Sequence, residues 1–173
     1  MIQVRSERVV DHEQVFALQT AAFGQSDEAE LVSALRASTH PQLSLVAELE
    51  GELVGHIFFS PVHIESSVAV SSCVALGPVG VLPARQGCGV GSALIRAGLD
   101  RCAESGWQAV FLVGDPAFYA RFGFVLAAPR GLRYESEDFD SVFQILELRQ
   151  GALQGSRGWV RFHEAFEENV ATE

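Results

Sequence analysis

Val79-Gly80-Val81-Leu82-Pro83-Ala84-Arg85-Gln86-Gly87-Cys88-Gly89-Val90-Gly91-Ser92 is the stretch on which the rest of this sequence turns. An apolar run closes at Pro83, and three glycines then alternate at Gly87, Gly89 and Gly91. Leu94, Ile95, Leu99 and Cys102 follow at helical spacing, so the stretch reads as strand, glycine-rich turn and helix start. Backbone N–H groups in such a turn point at an anion, where the helix dipole favours negative charge. Glycine suits the place because a side chain would keep the backbone from approaching a ligand. A ligand-free turn from strand to helix needs fewer glycines than this.

Two nucleotide fingerprints fail on particular residues. The Walker loop needs lysine before its Ser or Thr, and Ser92 follows Gly91 directly. The dinucleotide pattern counted from Gly87 ends on Ser92, and counted from Gly89 it meets Ala93 and Leu94.

Upstream, Ile2 to Arg8 alternates as a first strand. Asp11 is placed to cap a helix carrying Val15, Phe16, Leu18, Ala22 and Phe23, with Gly24 at its end. Ser26 or Asp27 caps a second helix through Leu31, Val32 and Leu35. Leu43–Leu49 and Leu53–Glu65 are strands joined at Glu50-Gly51-Glu52, and Ser66-Ser67 turns the chain again. Val68–Leu82 is a long apolar strand, buried on both faces and interrupted at Gly77-Pro78, where proline offers no ladder N–H.

Downstream, the helix from Gly89 to Ser105 stops before Gly106, and Ala109–Val113 forms a short apolar strand. Strand, helix and strand make a βαβ unit, which predicts parallel pairing. Asp115 and Pro116 are N-cap and first residue of a short helix holding Phe118, Tyr119 and Phe122. Gly123 closes it and Phe124 opens another strand. Arg130–Ser141 reads as loop, Val142–Leu148 as strand, and Trp159–Phe166 as a segment packing back on the body. Residues 167–173 read as a frayed acidic end. The expectation is one domain over residues 1–173.

Composition narrows the partners. A formal net charge of −10 speaks against nucleic acid, which is bound through clustered Lys and Arg. No apolar run has the length of a membrane span, and the first residues lack the order of a signal peptide, so the expected location is cytoplasmic with no membrane partner. Cys73, Cys88 and Cys102 have neither disulfide nor zinc spacing, and no metal site is expected. Cys73 and Cys102 read as small core hydrophobes; Cys88 fills the loop, where a depressed pKa is the alternative.

Gln86-Gly87-Cys88-Gly89-Val90-Gly91 resembles the acetyl-CoA loop of the GNAT superfamily of N-acetyltransferases, Gln/Arg-x-x-Gly-x-Gly/Ala, at each fixed position. Phe118-Tyr119-Ala120-Arg121-Phe122-Gly123-Phe124 looks like the family's tyrosine-to-Gly-Phe segment, and the order of elements agrees to about residue 126. The Gly-Asp-Pro turn before this helix is most similar to a branch of short bacterial acetyltransferases.

The resemblance implies a mixed α/β fold, with a central mixed sheet flanked by helices and with parallel strands four and five splayed apart. It implies that amides from Gln86, Gly87, Cys88, Gly89, Val90 and Gly91, with Ser92 beside them, hold the acetyl-CoA pyrophosphate. Val79, Gly80 and Val81 would pair with the pantetheine arm as an added strand, with an N–H near Gly80 steadying the oxyanion. Gly77-Pro78 would be the cause of the splay. Tyr119 would be the general acid that protonates the CoA thiolate; by its own spacing it could equally be a packing aromatic. Asp115, besides its cap, would order water or CoA.

The family's strand-four glutamate is missing, since residues 71–81 hold no Asp, Glu or His. His56 and His63 are candidates for the base by side-chain type alone, while Glu28 is better explained as a first-turn acid of its helix. His163 and Glu164 belong to no motif. Direct attack of an amine in a ternary complex is favoured, because no serine or cysteine has a visible base partner. The rival is an acyl-CoA-binding sensor or structural module without chemistry. The acceptor stays open between a small-molecule amine and a protein amino-terminus. Homodimers are common in the superfamily, but no residue here marks a surface for one.

Overall fold

From β1 to the tyrosine helix, strands and helices follow one another in the order the hydrophobic pattern predicts. The computed structural model describes residues 1–65 and 72–170. In chain order β1 (Gln3–Ser6), α1 (His12–Phe23), α2 (Asp27–Ser38), β2 (Leu43–Leu49), β3 (Glu52–Ile64), β4 (Cys73–Val81) and α3 (Val90–Glu104) come first. Then come β5 (Ala109–Val113), α4 (Pro116–Tyr119), β6 (Val125–Leu126), β7 (Leu132–Arg133), β8 (Phe143–Glu147), β9 (Gly158–Arg161) and α5 (Ala165–Val170). The expected Ser66-Ser67 turn and the start of the Val68 strand lie outside the described residues. No helix among the described residues is long and apolar enough to cross a membrane.

The contacts divide the chain into two compact units. The first holds Met1–Ser60, Gly77–Asp100 and the chain from His163 onward; the second holds Pro61–Leu76 and Arg101–Phe162. The boundaries fall inside β3, β4 and α3, so these three elements contribute residues to both. Strand β4 runs on through Gly77-Pro78, but its pairing with β5 ends at Ala75, just before the proline expected to interrupt the ladder, and the change of unit comes at Gly77.

In the first unit β1, β2 and β3 pair antiparallel, and Leu82 N–H donates to Val54 C=O at 2.9 Å. Glu50 and Gly51 both have positive φ, 53° and 80°, as the two-residue hairpin between β2 and β3 requires. A register shift between Ala47 and Glu48 leaves Val54 as the extra residue of a bulge. Helices α1 and α2 bury Val15, Leu18, Leu31, Val32 and Leu35 against Val46, Leu53, Phe58 and Ala165. A Cβ on Gly55 would stand 2.7 Å from Val90 Cγ1 and 2.8 Å from Leu94 Cδ1. That missing methyl brings the start of α3 close upon β3. Further along α3, a Cβ on Gly98 would stand 2.5 Å from Phe59 Cε2, and full burial of a side chain such as Phe59 contributes about 1.5–3 kcal/mol.

Three local expectations for this unit are corrected. Ser26 stands at the N-cap of α2, but its hydroxyl donates to Glu30 Oε1 and accepts no helix amide. Asp11 precedes α1 but gives the helix no side-chain cap. Its carboxylate instead takes Arg5 at 2.7 and 3.0 Å and the Arg8 N–H at 2.7 Å, tying β1 to the turn before α1. The end is not frayed from residue 167: α5 continues to Val170, and Phe166 packs on the core of α1 and α2. Residues 171–173 lie outside the described residues.

The second unit carries a mixed sheet. Strand β4 pairs parallel to β5 from Cys73↔Ala109 to Ala75↔Phe111, as the βαβ reading requires, and β5–β8–β6 continue antiparallel. The 130–141 segment expected to be loop contains β7, parallel to β9, because Leu132 and Tyr134 are buried in the core. The strand expected from Phe124 shrinks to Val125–Leu126. Phe111, Phe143, Tyr134 and Phe162 stack in one aromatic cluster beside Cys73, Leu132, Leu153 and Val160. Burial pushes the Cys73 thiol up to about 12. In the same way the Cys102 thiol is pushed up to about 12, so both behave as hydrophobes.

Candidate active site

Within the first unit, β4 leads through a 3-10 turn at Pro83–Arg85 into the glycine loop. Gln86, Gly87, Cys88 and Gly89 are exposed, and Val90 is the first buried residue. Gly87 and Gly89 have φ of 76° and 87°, a region open to glycine and costly for other residues. A Cβ on either would meet no atom within 4 Å, so both point their missing side chains into open space. The Gln86 side chain reaches back to Val81 C=O at 3.1 Å and fastens the loop to the strand end. Cys88 Sγ stands 3.8 Å from Gln86 C=O.

Ala93 N–H bonds to Gly89 C=O at 3.0 Å and opens the α3 ladder. The amides of Val90, Gly91 and Ser92 precede that ladder and have no intrahelical acceptor. An exposed glycine loop, the unladdered amides of a helix N-terminus and an absent pair of side chains fit a diphosphate.

Tyr119 lies in the second unit, at the last position of α4. Asp115 Oδ1 accepts Ala117 N–H at 3.0 Å and Pro116 starts the helix, the cap the sequence predicts. The Tyr119 ring packs on Phe118, Phe122 and Phe124 at centroid distances of 5.0, 6.2 and 5.8 Å. A Cβ on Gly114 would stand 2.5 Å from Tyr119 Cε2, so glycine before the turn makes room for the ring. Burial raises the Tyr119 pKa, which keeps the phenol protonated and able to give a proton. No described residue hydrogen-bonds its hydroxyl.

The histidines divide. His63 is exposed near the end of β3, opposite Arg161 of β9. His56 is fully buried in the first unit, with both ring nitrogens engaged. Its Nδ1 is 2.8 Å from Gln19 Nε2, and its Nε2 is 2.8 Å from Ser44 Oγ. Ser44 Oγ donates to Glu7 Oε2, and Arg36 bonds to Glu7 Oε1. Burial alone would raise the Glu7 carboxyl, but the facing His56 ring, the Ser44 hydroxyl and Arg36 hold it near 2. Burial lowers the His56 pKa against the pull of Glu7, so the ring is neutral. Enclosed and neutral, His56 has no open face for a substrate amine. Glu28 accepts from Gln25, and His163 Nδ1 accepts Ala165 N–H where α5 begins.

Gln19, Ser44, Glu7 and Arg36 were not singled out from the sequence. The available signal was a glutamine on the apolar face of α1, one turn beyond Val15, and a histidine inside the apolar run from Leu53 to Phe59.

A family model described as an acetyltransferase (GNAT) domain matches residues 3–127. The chain belongs to the GNAT acetyltransferase family. The GNAT protein named uncharacterized N-acetyltransferase YhbS, from Escherichia coli K12, is 38% identical over 164 residues, covering 94% of this chain and 97% of its own. The crystal structure of Escherichia coli YhbS in complex with CoA is 37% identical, with a TM-score of 0.88 over 96% of this chain and 92% of that one. A GNAT acetyltransferase of Brucella melitensis in complex with acetyl-CoA is 38% identical, with a TM-score of 0.79 over 96% of this chain and 98% of that one.

Proposed function

We propose that this GNAT protein transfers an acetyl group from acetyl-CoA to an amine by direct attack, working as a single acetyltransferase domain. The observation that carries the reading is the exposed loop at Gly87 and Gly89, joined to the unladdered amides of α3. Bound acetyl-CoA supplies an activated acetyl thioester. Gln86 to Ser92 bind its diphosphate through backbone N–H groups, which need no lysine. Val79, Gly80 and Val81 offer the backbone edge of β4 to the pantetheine arm, and a backbone N–H near Gly80 stabilises developing negative charge. Tyr119 supplies a proton to the departing thiolate from a phenol that burial keeps in its protonated form. Asp115 serves by setting the first turn of α4 and with it the place of Tyr119. The acceptor is a small-molecule amine or a protein amino-terminus.

Free-thiol release from acetyl-CoA, followed with a panel of amines, tests the activity. Turnover with at least one amine is expected; CoA binding with no turnover across the panel would mark a binding module instead. Tyr119→Phe is expected to lower kcat by about 10²–10⁴-fold, with little change in CoA affinity. An unchanged kcat removes Tyr119 from the chemistry.

A further inference from the structure

Glu7, Arg36, Ser44, His56 and Gln19 form a hydrogen-bonded chain whose polarity runs one way. An ionised Glu7 only accepts, so the Ser44 proton goes to it and Ser44 Oγ accepts from His56 Nε2–H. A neutral imidazole carries one such proton, which leaves Nδ1 as an acceptor for Gln19 Nε2. The Gln19 amide is thereby oriented, with Oε1 turned away from His56. Oε1 is buried and has no hydrogen-bond partner among the described residues. It faces Gly80, where a Cβ would lie only 2.5 Å from it.

We propose that Gln19 is a positioning residue for acyl transfer. Its carboxamide, oriented from Glu7 through Ser44 and His56, holds the Gly80 segment of β4 where the thioester is received. The inference rests on the reading that Val79–Val81 carries the acyl-CoA arm. With Oε1 toward Gly80, a carbonyl oxygen meets Cα–H, a weakly attractive pairing. With the amide reversed, N–H would meet C–H, and Nδ1 would lose its donor. Each link therefore selects one side-chain orientation, and the last fixes the surroundings of the Gly80 backbone. The catalytic distance does not pass through Gln19, which touches no reacting atom in this scheme.

Ser44→Ala removes the link between Glu7 and His56, Ser44→Thr keeps the hydroxyl on a strand that tolerates threonine, and Gln19→Met replaces the amide by an apolar chain of similar length. Nitrogen-15 NMR of the wild type is expected to show His56 as the Nε2–H tautomer. Ser44→Ala and Gln19→Met are expected to lower kcat about 10- to 100-fold, the scale of a misplaced rather than a deleted group. KM for acetyl-CoA is expected to stay unchanged, and Ser44→Thr to recover the wild-type kcat. A Nδ1–H tautomer, or wild-type kcat in both folded variants, overturns the proposal while the acetyltransferase reading stands. Should either variant fail to fold, the tautomer and the other variant still decide. A wild type with no turnover on any amine overturns both together.

Discussion

At Gly80 one hydrogen in place of a methyl group decides what can stand beside β4. A Cβ there would lie 2.5 Å from Gln19 Oε1, 3.0 Å from Gln19 Cδ and 3.2 Å from Ala22 Cβ. A free glutamine would swing aside, but Gln19 is held by His56, so Gly80→Ala has to move α1 or break that bond. The expected cost is about 1–3 kcal/mol in urea denaturation, and Gly80→Ala combined with Gln19→Ala should recover part of it. Equal and additive losses would show that the contact yields freely. Tyr119 and the loop glycines were legible in the sequence because each sits in a short local pattern. Gln19 was not, because its partners are separated from it by dozens of residues and share no spacing.

As an element, the loop from Gln86 to Ser92 with the first turn of α3 couples backbone conformation to binding. Gly87→Val is expected to weaken CoA binding about 10-fold or more, equivalent to ~1.4 kcal/mol, as measured by calorimetry. The valine would force a φ of 76° on a branched residue and fill the open space before the amides. Gly106→Ala provides the control, since Gly106 has a similar φ of 86° and also faces open space, but ends α3. That variant should show the strain in stability and none in CoA affinity. Most elements were readable from periodicity and breakers. The exceptions are instructive: β7 hides in a polar stretch because only Leu132 and Tyr134 are buried, and a two-residue strand has no periodicity. Asp11 looked like a cap by position, yet Arg5 is a stronger partner for a carboxylate than a helix amide is.

For the whole molecule, buried titratable groups set how stability depends on pH. Glu7 is held near 2 from an ordinary 4.5, and Arg5 holds Asp11 near 2 from 3.8. A carboxylate depressed on folding stabilises fully above its unfolded value and loses that contribution as pH falls through the folded one. His56 faces Glu7, Ser44, Gln19, Arg36 and His12, and burial lowers its pKa from 6.5. The unfolded chain therefore binds the histidine proton first, and stability declines as pH drops below 6.5. Chemical denaturation across pH should show one decline starting there and a second below 4.5. His56→Gln is expected to remove the first decline and to keep the part of the second that belongs to Asp11, which Arg5 holds independently; a first decline that persists would assign it to another group.

The sequence by itself determined the element order as far as α4, the glycine loop on α3, the capped tyrosine helix and the family they resemble. Each of these depends on local physics: turn conformation, helix capping, side-chain periodicity. Only the tertiary structure decided that His56 is sealed and neutral, that Asp11 binds Arg5, and that Gln19 stands against Gly80. Those outcomes depend on burial and on partners brought together from β1, β2, β3, β4, α1 and α2. Burial and pairing are properties of packed neighbours, and no spacing along the chain encodes them.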